Sequence, residues 1–463
     1  MSNTLHPKEW SGCLICEIAN VIAGGTPKAG NPENFTEPAS GIAWLTPADL
    51  SGYKRKYISH GARDLSQTGY DSSSAKLMPK GSILFSSRAP IGYIAIAANE
   101  ICTNQGFKSF VLPDDIDSSY AYFYFRSIRD LAESWGTGTT FKEISGATAK
   151  KLPFSLPPLA EQKEIAAQLD DLLAQVDTLK NRLDGIPAIL KRFRQSTLAT
   201  ATSGKLTEQW RKNNHADHWR DSTMDKTFKC IDGDRGPNYP KKTEYKSEGH
   251  CLFLSTKNVR EFGFDFSNQV FLEKEKHEKL RNGTLSRGDL IITTRGTLGY
   301  VASYDDSVPF DVVRINSGML ILRKINADFV NDFFKCVIAS PQFQKMVNER
   351  RTGSAQPQLP AKILKQFELN IPSVPEQTEI VRRVEALFAF ADQVERRVKD
   401  TQTHVNHLTQ SILAKAFHGE LTADWRAANS DLITGENSAA ALLERIKAER
   451  VKLTPKKKMR KKG

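Results

Sequence analysis

The sequence predicts an α+β chain: two similar mixed α/β domains, each followed by a long helix, with the two helices paired as a coiled coil. Three observations carry this. A helix-opening motif recurs 215 residues downstream without a gap, both helices bear the same heptad stripe, and short motifs recur through the globular halves at slowly growing spacing.

The first opening is Pro157-Pro158-Leu159-Ala160-Glu161-Gln162, and the second is Pro372-Ser373-Val374-Pro375-Glu376-Gln377. The match continues through Glu164-Ile165 with Glu379-Ile380, Asp177 with Asp392, and Gln195-Ser196 with Gln410-Ser411. It ends with Gly204, Leu206, Thr207, Trp210 and Arg211 against Gly419, Leu421, Thr422, Trp425 and Arg426. One inserted residue would rotate every later side chain by about 100°. An ungapped match of this length therefore means that helix phase and length both matter.

The seam of the first helix is Ile165, Leu169, Leu172, Val176, Leu179, Leu183, Ile186, Leu190 and Phe193. That of the second is Ile380, Val384, Leu387, Ala391, Val394, Val398, Thr401, Val405, Leu408 and Ile412. Alternating steps of four and three make a narrow stripe suited to helix pairing rather than to a broad core face. Gly185 and Pro187 predict a kink in the first helix.

In the globular halves, Gly81-Ser82-Ile83-Leu84-Phe85 leading to Arg88 and Gly92-Tyr93 matches Gly288-Asp289-Leu290-Ile291-Ile292 leading to Arg295 and Gly299-Tyr300. Trp44-Leu45-Thr46 faces Phe253-Leu254-Ser255, Asn104-x-Gly106 faces Asn316-x-Gly318, and Thr137-Gly138-Thr139 faces Thr352-Gly353-Ser354. Loops that gain residues between fixed strands produce such drift. Ile83–Phe85 and Tyr93–Ala97 read as a hairpin, 120–134 and 328–350 as helical, and 201–222 as a polar linker. Ala439, Leu442, Leu443 and Ile446 mark a short amphipathic helix near the end.

The net charge of +12 is concentrated: the tail from Lys456 to Lys462 supplies six of those charges, leaving a mildly basic body. No apolar run reaches the ~18 residues that span a bilayer, and the first residues lack the basic start and apolar stretch of a secretory signal. Cys13-x-x-Cys16 stands without a second pair or clustered histidines, so it reads as packing rather than as a zinc site. The expected setting is cytoplasmic, with reduced thiols. There is no phosphate-cradling Gly-x-x-x-x-Gly-Lys-Ser/Thr loop and no methyltransferase motif with a base-stacking aromatic. The expectation is therefore no catalytic residue, no metal and no cofactor on this chain.

The paired Pro-x-x-x-Glu-Gln openings, Gly24-Gly25-Thr26-Pro27, Ser86-Ser87-Arg88-x-Pro90-x-Gly92, Asn104-Gln105-Gly106-Phe107 and the Gly-Lys/Glu-Leu-Thr endings at Gly204 and Gly419 carry a family resemblance. The chain resembles the DNA-specificity subunits of type I restriction–modification enzymes, closest to the type IA group. The resemblance implies two target-recognition domains that each read half of a split double-stranded DNA target, with the helices as spacer. It implies two modification subunits methylating adenine with S-adenosylmethionine, and two motor–nuclease subunits using ATP and magnesium. Two half-sites on one duplex are related by a dyad, so the helix pair between them is expected to be antiparallel and the whole pseudo-two-fold symmetric. The expected segments are recognition domains at 1–155 and 223–370, spacer helices at 156–200 and 371–416, the linker at 201–222, and a C-terminal segment at 417–463.

Residues common to both domains cannot distinguish two different half-sites, so Arg88 and Arg295 suit phosphate contact or turn formation. The remaining DNA-binding candidates are unmatched polar positions. In the first domain they are Tyr53, Lys54, Arg55, Lys56, Gln105, Lys108, Thr140 and Lys142. In the second they are Lys241, Lys242, Lys246, Lys257, Asn258, Arg314 and Gln356. The alternative for each is a solvated surface group. Glu161, Gln162, Glu376 and Gln377 are candidates for docking the modification subunits; the alternative for the two carboxylates is a favourable place at a helix N-terminus. The competing readings of the whole chain are a stand-alone DNA-binding regulator and a coiled-coil scaffold.

Overall fold

The computed structural model describes residues 6–453 except 89, 139–141, 262, 327–328 and 354–355. The chain forms two compact units. Unit 1 takes the residues up to Leu183 and those from Thr401 onward; unit 2 is Asp184–Asp400.

Unit 1 holds a five-stranded sheet in the order Asn20–Ala23, Lys108–Val111, Ile83–Ser87, Ile91–Ala97 and Tyr57–Ile58. Unit 2 repeats the first four strands as Phe228–Asp232, Met319–Lys324, Asp289–Thr293 and Val301–Tyr304. The repeat extends to register: Ile83 pairs with Ile96, and the corresponding Leu290 with Ser303. The runs Ile83-Leu84-Phe85 and Leu290-Ile291-Ile292 are apolar throughout because both sheet faces are covered. Ile83 and Phe85 join one core cluster and Leu84 another. Leu290 and Ile292 likewise face one cluster and Ile291 another.

Each helical stretch expected in the globular halves is two helices. Ser118–Ser127 and Arg129–Ser134 break at Ile128. Asn331–Ala339 and Pro341–Arg350 break where Pro341 lacks an N–H and Ser340 caps the second helix. Residue 328, where that stretch was expected to begin, lies outside the described residues.

A two-stranded ribbon leads into each long helix: Ser11–Leu14 with Pro153–Leu156, and Arg220–Thr223 with Glu368–Ile371. The long helices are Leu159–Thr202 and Val374–Phe417, 44 residues each. The first runs as one helix through Gly185 and Pro187, although Pro187 leaves the Leu183 carbonyl without its helical donor.

In unit 1, following the first long helix from Glu161 to Lys180, the partner on the other strand of chain falls from Thr422 to Thr409. In unit 2, following the second long helix from Glu376 to Asp392, it falls from Thr207 to Arg194. The helices therefore run antiparallel in both units, each unit combining the start of one with the end of the other.

The seam is partly as expected. Ile165, Leu169, Val176 and Leu190 are buried on the first helix, and Ile380, Val384, Ala391, Val398 and Val405 on the second. Leu172, Leu183, Leu387 and Val394 are half-buried. Two expectations are corrected: Leu179 is 44% exposed and Leu408 41%. A straight helix drifts by about 20° per heptad from a strict seven-residue stripe. The first helix also packs on its own domain core, so Leu173 is buried rather than Leu172.

Both helices end on a glycine with positive φ, Gly204 at +74° and Gly419 at +76°, the left-handed cap that stops a helix at little cost. Beyond each, the chain folds back. In unit 1, Glu161 is fully buried and accepts hydrogen bonds from Trp10 Nε1 (2.9 Å), Thr422 Oγ1 (2.7 Å) and Arg426 (2.7 and 2.9 Å). In unit 2, Glu376 accepts from Thr207 Oγ1 (2.7 Å) and Arg211 (2.8 and 2.9 Å). Arg426 and Arg211 also donate to the Gly419 and Gly204 carbonyls at 2.7 Å. The 201–222 stretch, expected as linker, thus carries the helix Glu208–Asn213 and half of a buried lock. The C-terminal amphipathic helix, Ala439–Leu453, places Leu442, Leu443 and Ile446 in the unit 1 core, and its Ala439 is also buried. Cys13 also packs there, its thiol pushed up to about 12 by burial and then by Glu17.

Candidate nucleic-acid interface

In each unit four segments meet at one edge of the main sheet. In unit 1 the hairpin turn carrying Arg88 lies between strands Ile83–Ser87 and Ile91–Ala97. Ser87 N–H donates to the Gly106 carbonyl (2.7 Å), and Ile144 N–H donates to the Ser87 carbonyl (3.0 Å). Gly25 N–H donates to the Thr103 carbonyl (2.8 Å). The loop from Thr137 to Glu143 is tied at its base by two reciprocal backbone bonds of 2.9 and 3.0 Å.

Unit 2 repeats the arrangement. Thr294 N–H donates to the Gly318 carbonyl and Leu359 N–H to the Thr294 carbonyl, at 2.8 and 2.9 Å. The Thr352–Gln358 loop is tied by two bonds of 2.8 Å. Asn104 Oδ1 holds Gly106 N–H at 2.8 Å, and Asn316 Oδ1 holds Gly318 N–H at 2.9 Å, so each Asn-x-Gly forms a side-chain-closed turn. The glycine opposite is required by contact: a Cβ would fall 1.9 Å from the Asn104 carbonyl oxygen at Gly24, and 2.1 Å from that of Asn316 at Gly233. The repeated motifs thus build the same hydrogen-bonded frame at the base of the loops in both units.

The candidate residues divide on this frame. In unit 1, Arg88 is half-buried at 3.7 Å from Glu143; Lys108, expected as a DNA contact, is instead buried, its ammonium donating to the Gln105 carbonyl at 3.4 Å and lying 3.5 Å from the same carboxylate. Gln105 is exposed and its amide oxygen accepts from the Thr26 hydroxyl; Lys142 is exposed on the tied loop. Thr140 lies outside the described residues. In unit 2, Arg295 is half-buried at the matched turn and Gln356 is exposed on the tied loop. Lys257 is exposed on the 255–258 turn, where Thr256 packs near Gly318.

The others stand elsewhere. Lys54, Arg55, Lys241, Lys242 and Lys246 are exposed on separate segments, Lys246 at 3.5 Å from Glu273. The Tyr53 hydroxyl donates to the Tyr57 carbonyl. Lys56 is bound to Asp170 at 2.5 and 2.8 Å and to Ser119 at 3.2 Å, which fastens the first domain to the first long helix.

Two candidates are corrected outright. Arg314 is 2% exposed, and its guanidinium donates to the carbonyls of His277, Leu280 and Asn282, holding an internal loop. Asn258 is buried; it caps Ser255 and donates to the carbonyls of Asp265 and Asn268. Both are polar in sequence, but their polar groups are consumed by backbone that burial would otherwise leave unpaired.

The docking candidates are corrected for the same reason. Glu161, Gln162, Glu376 and Gln377 are all essentially fully buried. The two carboxylates close the locks described above. Gln162 donates to the Pro157 carbonyl (2.9 Å) and accepts from Asp117 N–H (2.9 Å). Gln377 does the same with Pro372 (3.0 Å) and Val330 N–H (2.9 Å). None is presented to a partner.

Two residues at the loop edge, Arg235 and Ser317, are not among the sequence candidates, and Thr26 figures there only within the Gly24-Gly25-Thr26-Pro27 motif. Arg235 follows Gly233 by two residues as Thr26 follows Gly24, a match visible at the 209-residue spacing already set by Trp44 and Phe253. Among the described residues no cluster of His, Cys, Asp and Glu suits a metal ion, and no helix is long and apolar enough to cross a membrane.

Residues 7–188 and 225–401 match the family described as type I restriction modification DNA specificity domain, once in each half. The chain is 38% identical to the EcoKI specificity subunit of Escherichia coli K12, over 84% of this chain and 85% of that one. It is 33% identical to the StySPI specificity subunit of Salmonella potsdam over 99% of both. The HsdS subunit of Thermoanaerobacter tengcongensis shares the fold, with a TM-score of 0.59 and 18% identity over 90% of this chain and 98% of that one. A second solved chain, from work on complex assembly and conformational transition of the type I restriction–modification system, superposes with a TM-score of 0.60 at 17% identity, over 90% of this chain and 99% of that one. With the family matched in both halves and relatives aligned over most of its length, this chain belongs to the type I restriction–modification DNA specificity subunits.

Proposed function

We propose that this chain binds a split double-stranded DNA target, each recognition domain reading one half-site, and scaffolds the enzymes that act there. The observation that carries this reading is a duplicated loop frame whose buried parts match and whose exposed side chains differ. Such a frame suits two related but unequal sequences. The recognition domains correspond to 1–155 and 223–370, and the long helices serve as the spacer that sets the gap between half-sites. Two modification subunits methylate adenine with S-adenosylmethionine, two motor–nuclease subunits use ATP and magnesium, and this chain contributes no catalytic group of its own.

The test is the methylome of cells carrying this gene with its modification partner. A split motif with a methylated adenine in each half, lost when this gene is deleted, supports the reading. Methylation that persists unchanged without the gene overturns it.

A further inference from the structure

The geometry points to one matched pair of positions as a base-reading element: Gln105, steadied by Thr26, reads an adenine in one half-site, and Arg235, beside Ser317, reads a guanine in the other. This rests on the DNA-reading function proposed above and names residues within it.

The two sites are built alike. Gln105 and Ser317 each occupy the middle of an Asn-x-Gly turn closed by the asparagine side chain. Thr26 and Arg235 each follow the glycine that packs against that turn's backbone. In both units the two positions touch: the Thr26 hydroxyl donates to Gln105 Oε1, and Arg235 Nη2 approaches the Ser317 carbonyl at 3.4 Å. Frame and contact are repeated, and only the chemistry changes.

That chemistry differs in the way two bases differ. With its Oε1 held by a hydroxyl, Gln105 keeps one oxygen lone pair and both Nε2 hydrogens, the complement of adenine N6 and N7 in the major groove. Arg235 offers only donors, the complement of guanine O6 and N7. Its side chain is half exposed, and Asp232 Oδ1 holds one nitrogen at 3.1 Å, leaving the other N–H groups free to turn outward. Its loop is stiff, because the Asp234 carboxylate accepts from Gly236 N–H and Arg281 N–H, both at 2.6 Å. Arg235 stands where the first unit has the hydroxyl of Thr26, and Gln105 where the second has the hydroxyl of Ser317; a phosphate contact has no reason to change chemistry in this way, since the backbone is the same in both halves.

The test compares methylation motifs and DNA binding of the assembled complex for wild type, Arg235→Ala, Arg235→Gln and Gln105→Ala. Arg235→Ala is expected to relax one guanine in one half-site, lowering discrimination there roughly five- to a hundredfold, with the other half unchanged. Arg235→Gln is expected to move that position toward adenine. Gln105→Ala is expected to relax an adenine in the other half only. If Arg235→Ala fails to assemble, Arg235→Gln, which can still donate to Asp232, decides the matter. A split motif left intact by these variants overturns the assignment while sparing the proposed function. So does equal weakening on every sequence with a shallower salt dependence, the mark of phosphate contact. A wild-type complex without a split motif overturns both.

Discussion

Arg426 and Glu161 are 265 residues apart in the chain and 2.7 Å apart in space, with the carboxylate fully buried. Arg211 and Glu376 repeat the relationship in the other unit at 2.8 Å. Each pair joins the first turn of one long helix to the chain that has just left the other. Removing one partner of a buried pair strands the other charge away from water.

Arg426→Ala and Arg211→Ala are therefore each expected to destabilise their unit by about 3–5 kcal/mol, read by denaturant unfolding. A loss under about 1 kcal/mol, the level of an exposed pair, would show that the lock contributes little.

The two locks differ at the indole. Trp10 Nε1 donates to Glu161, whereas Trp219 Nε1 is buried with no partner among the described residues. Trp10→Phe should cost roughly 1.5–3 kcal/mol, the worth of a hydrogen bond to a charged group, while Trp219→Phe should be near neutral. Thermal unfolding of the two variants checks the contrast, and equal costs would contradict it.

Acid should weaken the second long helix through Glu379. Its hydrogen bond to Arg382 is the main cause holding the carboxyl down at about 2; burial opposes it, and Arg383 adds to it. A carboxylate depressed in the folded state stabilises above its unfolded value and loses that contribution as pH falls through the folded one. The window is therefore from about 4.5 down to about 2. Glu379→Gln should show a shallower stability loss across that window than wild type, measured by pH-dependent unfolding.

Along the helices, Leu169 is fully buried and Leu179 is not. Leu169→Ala should cost about 2–5 kcal/mol, and Leu179→Lys should stay within about 0.5 kcal/mol. A large cost at Leu179 would mean that its exposed face is covered in the isolated protein.

If the paired helices act as a ruler, deleting one heptad from one of them removes about 10 Å of rise. The expected result is a changed gap between the methylated half-sites, or lost activity. An unchanged gap with unchanged affinity would remove the ruler from the account.

What the sequence determined by itself was whatever repeats or acts locally. Pro-x-x-x-Glu-Gln occurring twice, the unbroken helix phase, and the matched Asn-x-Gly and Arg-turn motifs are visible because each depends on neighbours a few residues away. The tertiary structure decided where the polar groups point. Glu161 looked like a docking residue because its partners Trp10, Thr422 and Arg426 lie far along the chain, and Arg314 looked like a DNA ligand because the carbonyls it satisfies belong to a distant loop. Exposure follows from the same long-range packing: Leu179 shares the heptad phase of buried Val176 and is left in solvent. Periodicity encodes the face of a helix, but only the folded chain supplies what covers it.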